Sequence, residues 1–154
     1  MAVFDYFDGE EFSIFQFVFM SLFFGLGMTF TFVPYHIERI KELDIKEFSG
    51  EVLSSNQKLE VQSAVTRDDL LHKLENSSLL NISKISATEH SIRILTKAES
   101  TTFGEKIEIK FQEIEGGMNK LLITSRPRLI TNFIDNGNNL RNVQTIQKLI
   151  KGTV

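Results

Sequence analysis

The chain has 154 residues, 17 Lys and Arg against 20 Asp and Glu, and no Cys, which gives a net charge of −3. That length holds one membrane helix and one domain of about 100 residues. Zero Cys excludes disulfides, thiolate nucleophiles and thiolate zinc sites, and the acidic balance argues against nucleic acid as a partner, because phosphate binding asks for a clustered basic excess.

Residues 1–11 form an acidic and aromatic segment with Asp5, Asp8, Glu10 and Glu11 and no Lys or Arg. Phe4, Tyr6 and Phe7 suit a membrane surface, and a frayed terminus fits equally well. Residues 12–33 then run for 22 positions without a charge and hold eight of the chain's fourteen Phe. A helix of that length spans roughly 30 Å, the hydrocarbon thickness of a bilayer, and predicts a single transmembrane helix. A buried helix of a soluble domain would be shorter, and a cleaved signal peptide would have a basic rather than acidic lead.

Arg39, Lys41 and Lys46 follow the span and no Lys or Arg precedes it. The expectation is therefore a single-pass protein with its N-terminus translocated and its C-terminal domain on the cytoplasmic, matrix or stromal side. Within the span, Ser21, Gly25 and Thr29 recur every four residues on one face, with Gln16 nearby. That small-residue spacing fits an interface with other transmembrane helices of a membrane complex.

Pro34 marks the expected exit. Residues 34–50 are expected as a juxtamembrane helix, lying on the headgroups or extending the anchor as a stalk, with a Glu42–Lys46 pair and Gly50 as its stop. Residues 51–57 read as a polar linker, and 58–154 as a soluble domain.

In that domain Leu59, Val61, Ser63 and Val65 alternate as a first strand. Thr66 with Asp69 caps a short helix whose Leu70, Leu71 and Leu74 face a core, closed by Asn76 to Ser78. Strand-like runs follow at about 79–86, 91–97, 106–114 and 118–125, with Gly116 and Gly117 as a hairpin turn. Pro127 closes the sheet. A loop over 126–138 leads to a last helix with Leu140, Val143, Ile146 or Gln147, and Ile150 on its apolar face. The expected fold class is α+β: a β-α-β-β-β-β-α domain with an antiparallel sheet and two helices on one face.

The loop carries the densest polar chemistry. Arg126 and Arg128 leave a strand end together, and Asp135, Gly137 and Asn139 open the last helix. Asp135 or Asn138 can cap that helix, Gly137 can take a positive φ, and a buried Asp135–Arg126 pair would pin the loop to the sheet. The functional alternative is capture of an anion or lipid headgroup by Arg126, Arg128 and Arg141 beside a helix N-terminus. His36, His72 and His90 are scattered without ligand spacing and are expected at the surface; no metal site and no cofactor is expected. Asn76 and Asn81 sit in glycosylation sequons, meaningful only for a lumenal domain.

Over roughly residues 58–151 the chain resembles domain-of-unknown-function family 1499, uncharacterised bacterial and plastid proteins. Ser125, Arg126 and Arg128 are similar to that family's Ser-Arg-Ser-Arg run, with Pro127 in place of the middle serine. Asp135, Gly137 and Asn139 are similar to its Asp-x-Gly-x-Asn run, Asn142 stands where its arginine is expected, and Thr102, Phe103 and Gly104 are similar to its lead into a charged strand. The resemblance implies an α+β fold and no established activity.

Together these features predict a non-enzymatic accessory or assembly subunit of a larger membrane complex. The alternative is a membrane-anchored module for a lipid, pigment or other apolar ligand. For a reaction, Arg126, Asp135 and Arg141 are the groups the sequence offers.

Overall fold

The structure is a computed structural model of the chain and describes residues 13–43, 49–99, 102–129 and 135–152. The expectations for residues 1–12, for 44–48 with the Glu42–Lys46 pair, and for 130–134 lie outside the described residues. The chain divides into two compact units, Met1–Tyr35 and His36–Val154.

The first unit is helical. Helix α1, Ile14–Lys41, runs for 28 residues, and it is long and apolar enough to cross a membrane. None of its most apolar stretch is buried by protein. Phe15, Phe19 and Phe23, spaced by four, stack along one side with ring centroids 6.4 Å apart.

The helix runs on through Pro34, so the first turns of the expected juxtamembrane helix continue α1, as the stalk alternative has it. Proline removes one N–H, and with it the bond to the carbonyl of Phe30, and its ring crowds that carbonyl, while the helix continues on both sides. Beyond it, in the second unit, His36 and Ile40 lie one turn apart and are both buried, which gives the last turns of α1 a reason to persist. The helix ends at Lys41. Expected at the surface, His36 is buried, with Nε2 3.3 Å from the carbonyl of Leu53.

The stretch expected as a linker is also folded. The buried amide of Gln57 reaches the carbonyls of Glu51, Val52 and Ser54 at 2.8, 3.3 and 2.7 Å and closes that turn from within.

The second unit continues with β1 (Gln57–Ser63), α2 (Arg67–Glu75), β2 (Ile82–Thr88), β3 (Ser91–Thr96), β4 (Glu105–Ile114), β5 (Met118–Pro127) and α3 (Asn138–Lys151). The class is α+β, with one antiparallel sheet of five strands in the order β1-β5-β4-β3-β2. The Thr66 hydroxyl accepts from the Asp69 N–H at 3.2 Å and donates to the Asp69 carboxylate at 2.6 Å, so the cap read from the sequence starts α2. Gly116 and Gly117 take φ of 83° and 72° in the β4–β5 turn, a region that glycine enters without steric cost.

Helix α3 packs across β1, β5 and β4, and α2 packs on α3 and β3. Between helices and sheet lies the core: Leu70 and Leu74 from α2, Ile92, Ile94, Ile107, Ile109, Leu121 and Ile123 from the strands, and Val143, Ile146, Leu149 and Ile150 from α3. The apolar face of α3 is the expected one at Val143, Ile146 and Ile150, and it is wider than expected. Leu140 is only half-buried, Leu149 belongs to the core, and Asn139 and Asn142 are buried on the same side.

Candidate functional site

Alternation along β5 turns Leu121, Ile123 and Ser125 toward α3, and Leu122, Thr124 and Arg126 to the opposite face. Ser125 is thus the last inward residue before the strand ends, and it meets the start of α3. Its hydroxyl donates to Asn139 Oδ1 at 2.6 Å and accepts from Asn142 Nδ2 at 3.3 Å.

Asn139 in turn donates through Nδ2 to Asp135 at 2.7 Å. The Asp135 carboxylate, 1% exposed, also accepts the backbone N–H of Gly137 at 3.2 Å and of Asn139 at 2.8 Å. It therefore sits at the N-terminus of α3 as the helix's own anion, meeting donors that the helix cannot satisfy internally.

Gly137 at the N-cap has φ 74°, and a Cβ there would stand 3.2 Å from Cγ1 of Ile40. The turn, the buried carboxylate and the end of α1 are fitted to each other at this point.

A second buried carboxylate lies at the start of β4. Glu105 faces inward in phase with Ile107 and Ile109, and its two oxygens accept the hydroxyls of Thr96 at 2.5 Å and Thr102 at 2.6 Å. Its backbone N–H donates to Thr96 Oγ at 2.7 Å. Gly104, φ 84°, holds the approach to β4 where a Cβ would meet the Thr96 carbonyl at 2.7 Å. The sequence carried a signal for this group, since a Glu at the inward phase of an alternating strand has to be satisfied internally.

The arginines do not join this cluster. Arg126 points to the outer face and lies across from Lys106 in the β4–β5 register, Arg128 is exposed just past the strand, and Arg141 is exposed on α3. The expected Asp135–Arg126 pair is absent among the described residues. The pleat is the cause: Ser125 and Arg126 are neighbours in sequence and so must face opposite ways. The expected capture of an anion at the start of α3 meets a position that the Asp135 carboxylate already fills.

In the first unit Gln16, Ser21, Gly25 and Thr29 are exposed, and the Thr29 hydroxyl donates to the Gly25 carbonyl at 2.8 Å. Among the described residues no group of three or more His, Asp or Glu is placed to hold a metal. Two depressions mark the second unit. One of about 760 Å³ is lined by Thr66, Arg67, Asp68, His90 and Phe111 among others, and one of about 500 Å³ by Leu74, Leu80, Asn81, Ile85 and Lys97 among others. Both are open with mixed polar and apolar walls, and neither lies between the sheet and α3.

No known family matches the chain, and no curated protein matches it. Among solved structures, the crystal structure of Ara h 8.0201 is similar over 64% of this chain and 95% of that chain, at 13% identity and a TM-score of 0.35. A likeness that slight carries no argument about function.

Proposed function

We propose that the chain is a single-pass membrane protein whose α+β domain serves as a non-enzymatic accessory or assembly part of a larger membrane complex. One observation carries the proposal: α1 presents large apolar side chains on every side, with Phe23 and Phe24 each 68% exposed, and the described chain covers none of them. Such a surface is stable only against lipid or against other helices. Gln16, Ser21, Gly25 and Thr29 offer the flat face along which a partner helix can approach.

A structural role is supported by how the polar groups of the loop are used. Asp135, Asn139, Ser125 and Asn142 spend their hydrogen bonds on one another and on the start of α3, so they act as a latch. Ser125, Asp135 and Asn139, three of the residues through which the chain resembles family 1499, belong in this reading to that latch, whereas Arg126 and Arg128 do not. No observation favours the apolar-ligand alternative, because Ile and Leu side chains fill the space between sheet and helices.

The orientation proposed is the one that Arg39, Lys41 and Lys46 give, with the domain on the cytoplasmic, matrix or stromal side. Native electrophoresis in mild detergent tests the assembly proposal. The expected result is migration well above a lone 17.6 kDa chain, and migration as the lone chain at every protein level would overturn it. Protease added to sealed vesicles of known sidedness tests the orientation: the domain is expected to survive digestion, and a glycan on Asn76 or Asn81 would reverse it.

A further inference from the structure

The outer face of the sheet is uncovered among the described residues, and its chemistry is unlike that of the chain as a whole. Its two acids are both taken up in ion pairs, Glu60 with Lys120 at 2.9 Å and Glu108 with Arg93 at 2.8 Å. The remaining charges on that face, Lys58, Lys84, Lys106, Lys110 and Arg126, have no carboxylate within ion-pairing distance among the described residues.

Lys106 and Arg126 lie directly opposite each other across β4 and β5, and Lys84 continues the same row through Leu95 on β3. Like charges directly opposite on a sheet destabilise it. Glu60 and Glu108 offset part of this repulsion through space, but two carboxylates stand against the seven cations named on that face, and the excess is available to an anion from outside.

From this arrangement we infer that the outer face of the sheet docks on the anionic phospholipid headgroups of a bilayer. The unpaired cations come from β1, β5, β4 and β2, and at about 4.8 Å per strand the array is roughly 20 Å wide. That is the shape of a planar array of phosphates rather than of one bound ion.

Four of the five unpaired cations are Lys, compact charges suited to a diffuse anionic surface. No aromatic side chain stands at an outer position of the five strands, so the face has nothing on which to stack the bases of a single-stranded nucleic acid. Arg126, expected to bind a headgroup beside α3, acts instead as one member of this array. The inference rests on the membrane reading of α1, which puts the domain on a short tether from a lipid surface and raises the effective concentration of headgroups.

The test uses the full chain in nanodiscs of phosphatidylcholine alone or with added phosphatidylglycerol. Incorporation into the neutral discs reports on the anchor by itself, so failure there is told apart from failure of docking. Docking is read from the rate at which an amine-acylating reagent modifies each lysine.

In the anionic discs Lys58, Lys106 and Lys110 are expected to react about fivefold more slowly than in neutral ones, with Lys151 on α3 unchanged. Salt at about 1 M, where the screening length falls to ~3 Å, is expected to restore the rates. The double variant K106E/R126E is expected to lose the protection of Lys58 and Lys110 while keeping its thermal midpoint. Equal rates in the two kinds of disc would overturn the inference, as would protection of the same lysines by a short RNA or DNA duplex in neutral discs but not by anionic lipid.

Discussion

The two faces of the sheet are built from the same five strands and alternate residue by residue, yet they obey different rules. Inward positions over the core are Ile, Leu, Val and Phe with a few hydrogen-bonded polar groups, and those covered by the helices are fitted against their neighbours. Outward positions are mainly Lys, Arg, Glu, Thr, Ser and Gln, with Leu95 and Leu122 among them, and most are exposed or half-buried. On the inner face each atom has a shape to fill, so a change costs stability. On the outer face a change alters the electrostatic field and leaves the packing alone.

The sharpest way to break this contrast is to make the same substitution on adjacent residues of β5. Ile123→Ala removes a fully buried side chain and is expected to cost about 2–5 kcal/mol, while Leu122→Ala, half-buried on the outer face, is expected to cost under ~1 kcal/mol. Denaturant melts of the detergent-solubilised chain measure both. Similar costs at the two positions would mean that the outer face is packed against something.

Next in size is Asp135→Ala, which strands the buried N–H groups of Gly137 and Asn139 together with the Asn139 amide, for an expected loss of about 2–3 kcal/mol. Asp135→Asn keeps an acceptor for the backbone and should lose about half as much. Hydrogen exchange at the first turn of α3 localises the effect, and an unchanged exchange rate there would remove Asp135 from its capping role.

How much of this was legible in the sequence follows the same division. Period-two alternation located β1, β3, β4 and β5, because an apolar residue at every second position has one explanation. The Thr66–Asp69 cap and the Gly116–Gly117 turn were legible because each is a local device. The latch was half-legible: Asp135, Gly137 and Asn139 stood out, whereas Asn142 looked like a departure from a pattern when it is a buried partner of Ser125. Buried polar residues hide in this way, since hydropathy assigns them to the surface. It also drew the face of α3 too narrowly, since Leu149 and the two Asn side chains join Val143, Ile146 and Ile150 there while Leu140 is only half-buried.

The basic outer face was illegible for another reason. Net charge averages over all surfaces, so −3 for the whole chain concealed a local excess of cations contributed by four separate strands. Register alone brings Lys84, Lys106 and Arg126 into one row. The run through Pro34 was one of two alternatives the sequence left open, and the buried His36 and Ile40 beyond it explain why the helix persists there.

A smaller effect is expected at the edge of the inner layer. Thr66→Ala removes the acceptor for the Asp69 N–H at the start of α2 and should cost ~1 kcal/mol, and Thr66→Ser should restore most of it. Melts of the two variants check this, and an equal loss in both would mean that the methyl group rather than the hydroxyl matters.

The smallest effect belongs to the outer face and separates its electrostatics from its packing. The hydrogen bond from Arg93 holds the Glu108 carboxyl below its usual range, the charges of Arg93, Lys110 and Lys106 add to the lowering, and partial desolvation opposes it. A carboxyl with a lowered folded value contributes stability that is fully present above its unfolded value of ~4.3 and is lost as pH falls through the lower, folded value. Because the pair is partly exposed, Glu108→Gln is expected to cost only about 0.2–1 kcal/mol at neutral pH. The difference between the wild type and this variant should stay flat from pH 7 down to about 5 and shrink below ~4.3. Lys110→Gln should bring the Glu108 carboxyl back toward its usual value, which NMR titration of its side-chain carbon measures directly. If that titration does not move when Lys110 is removed, the cations on this face do not sense one another, and the face is a set of separate charges rather than a common field.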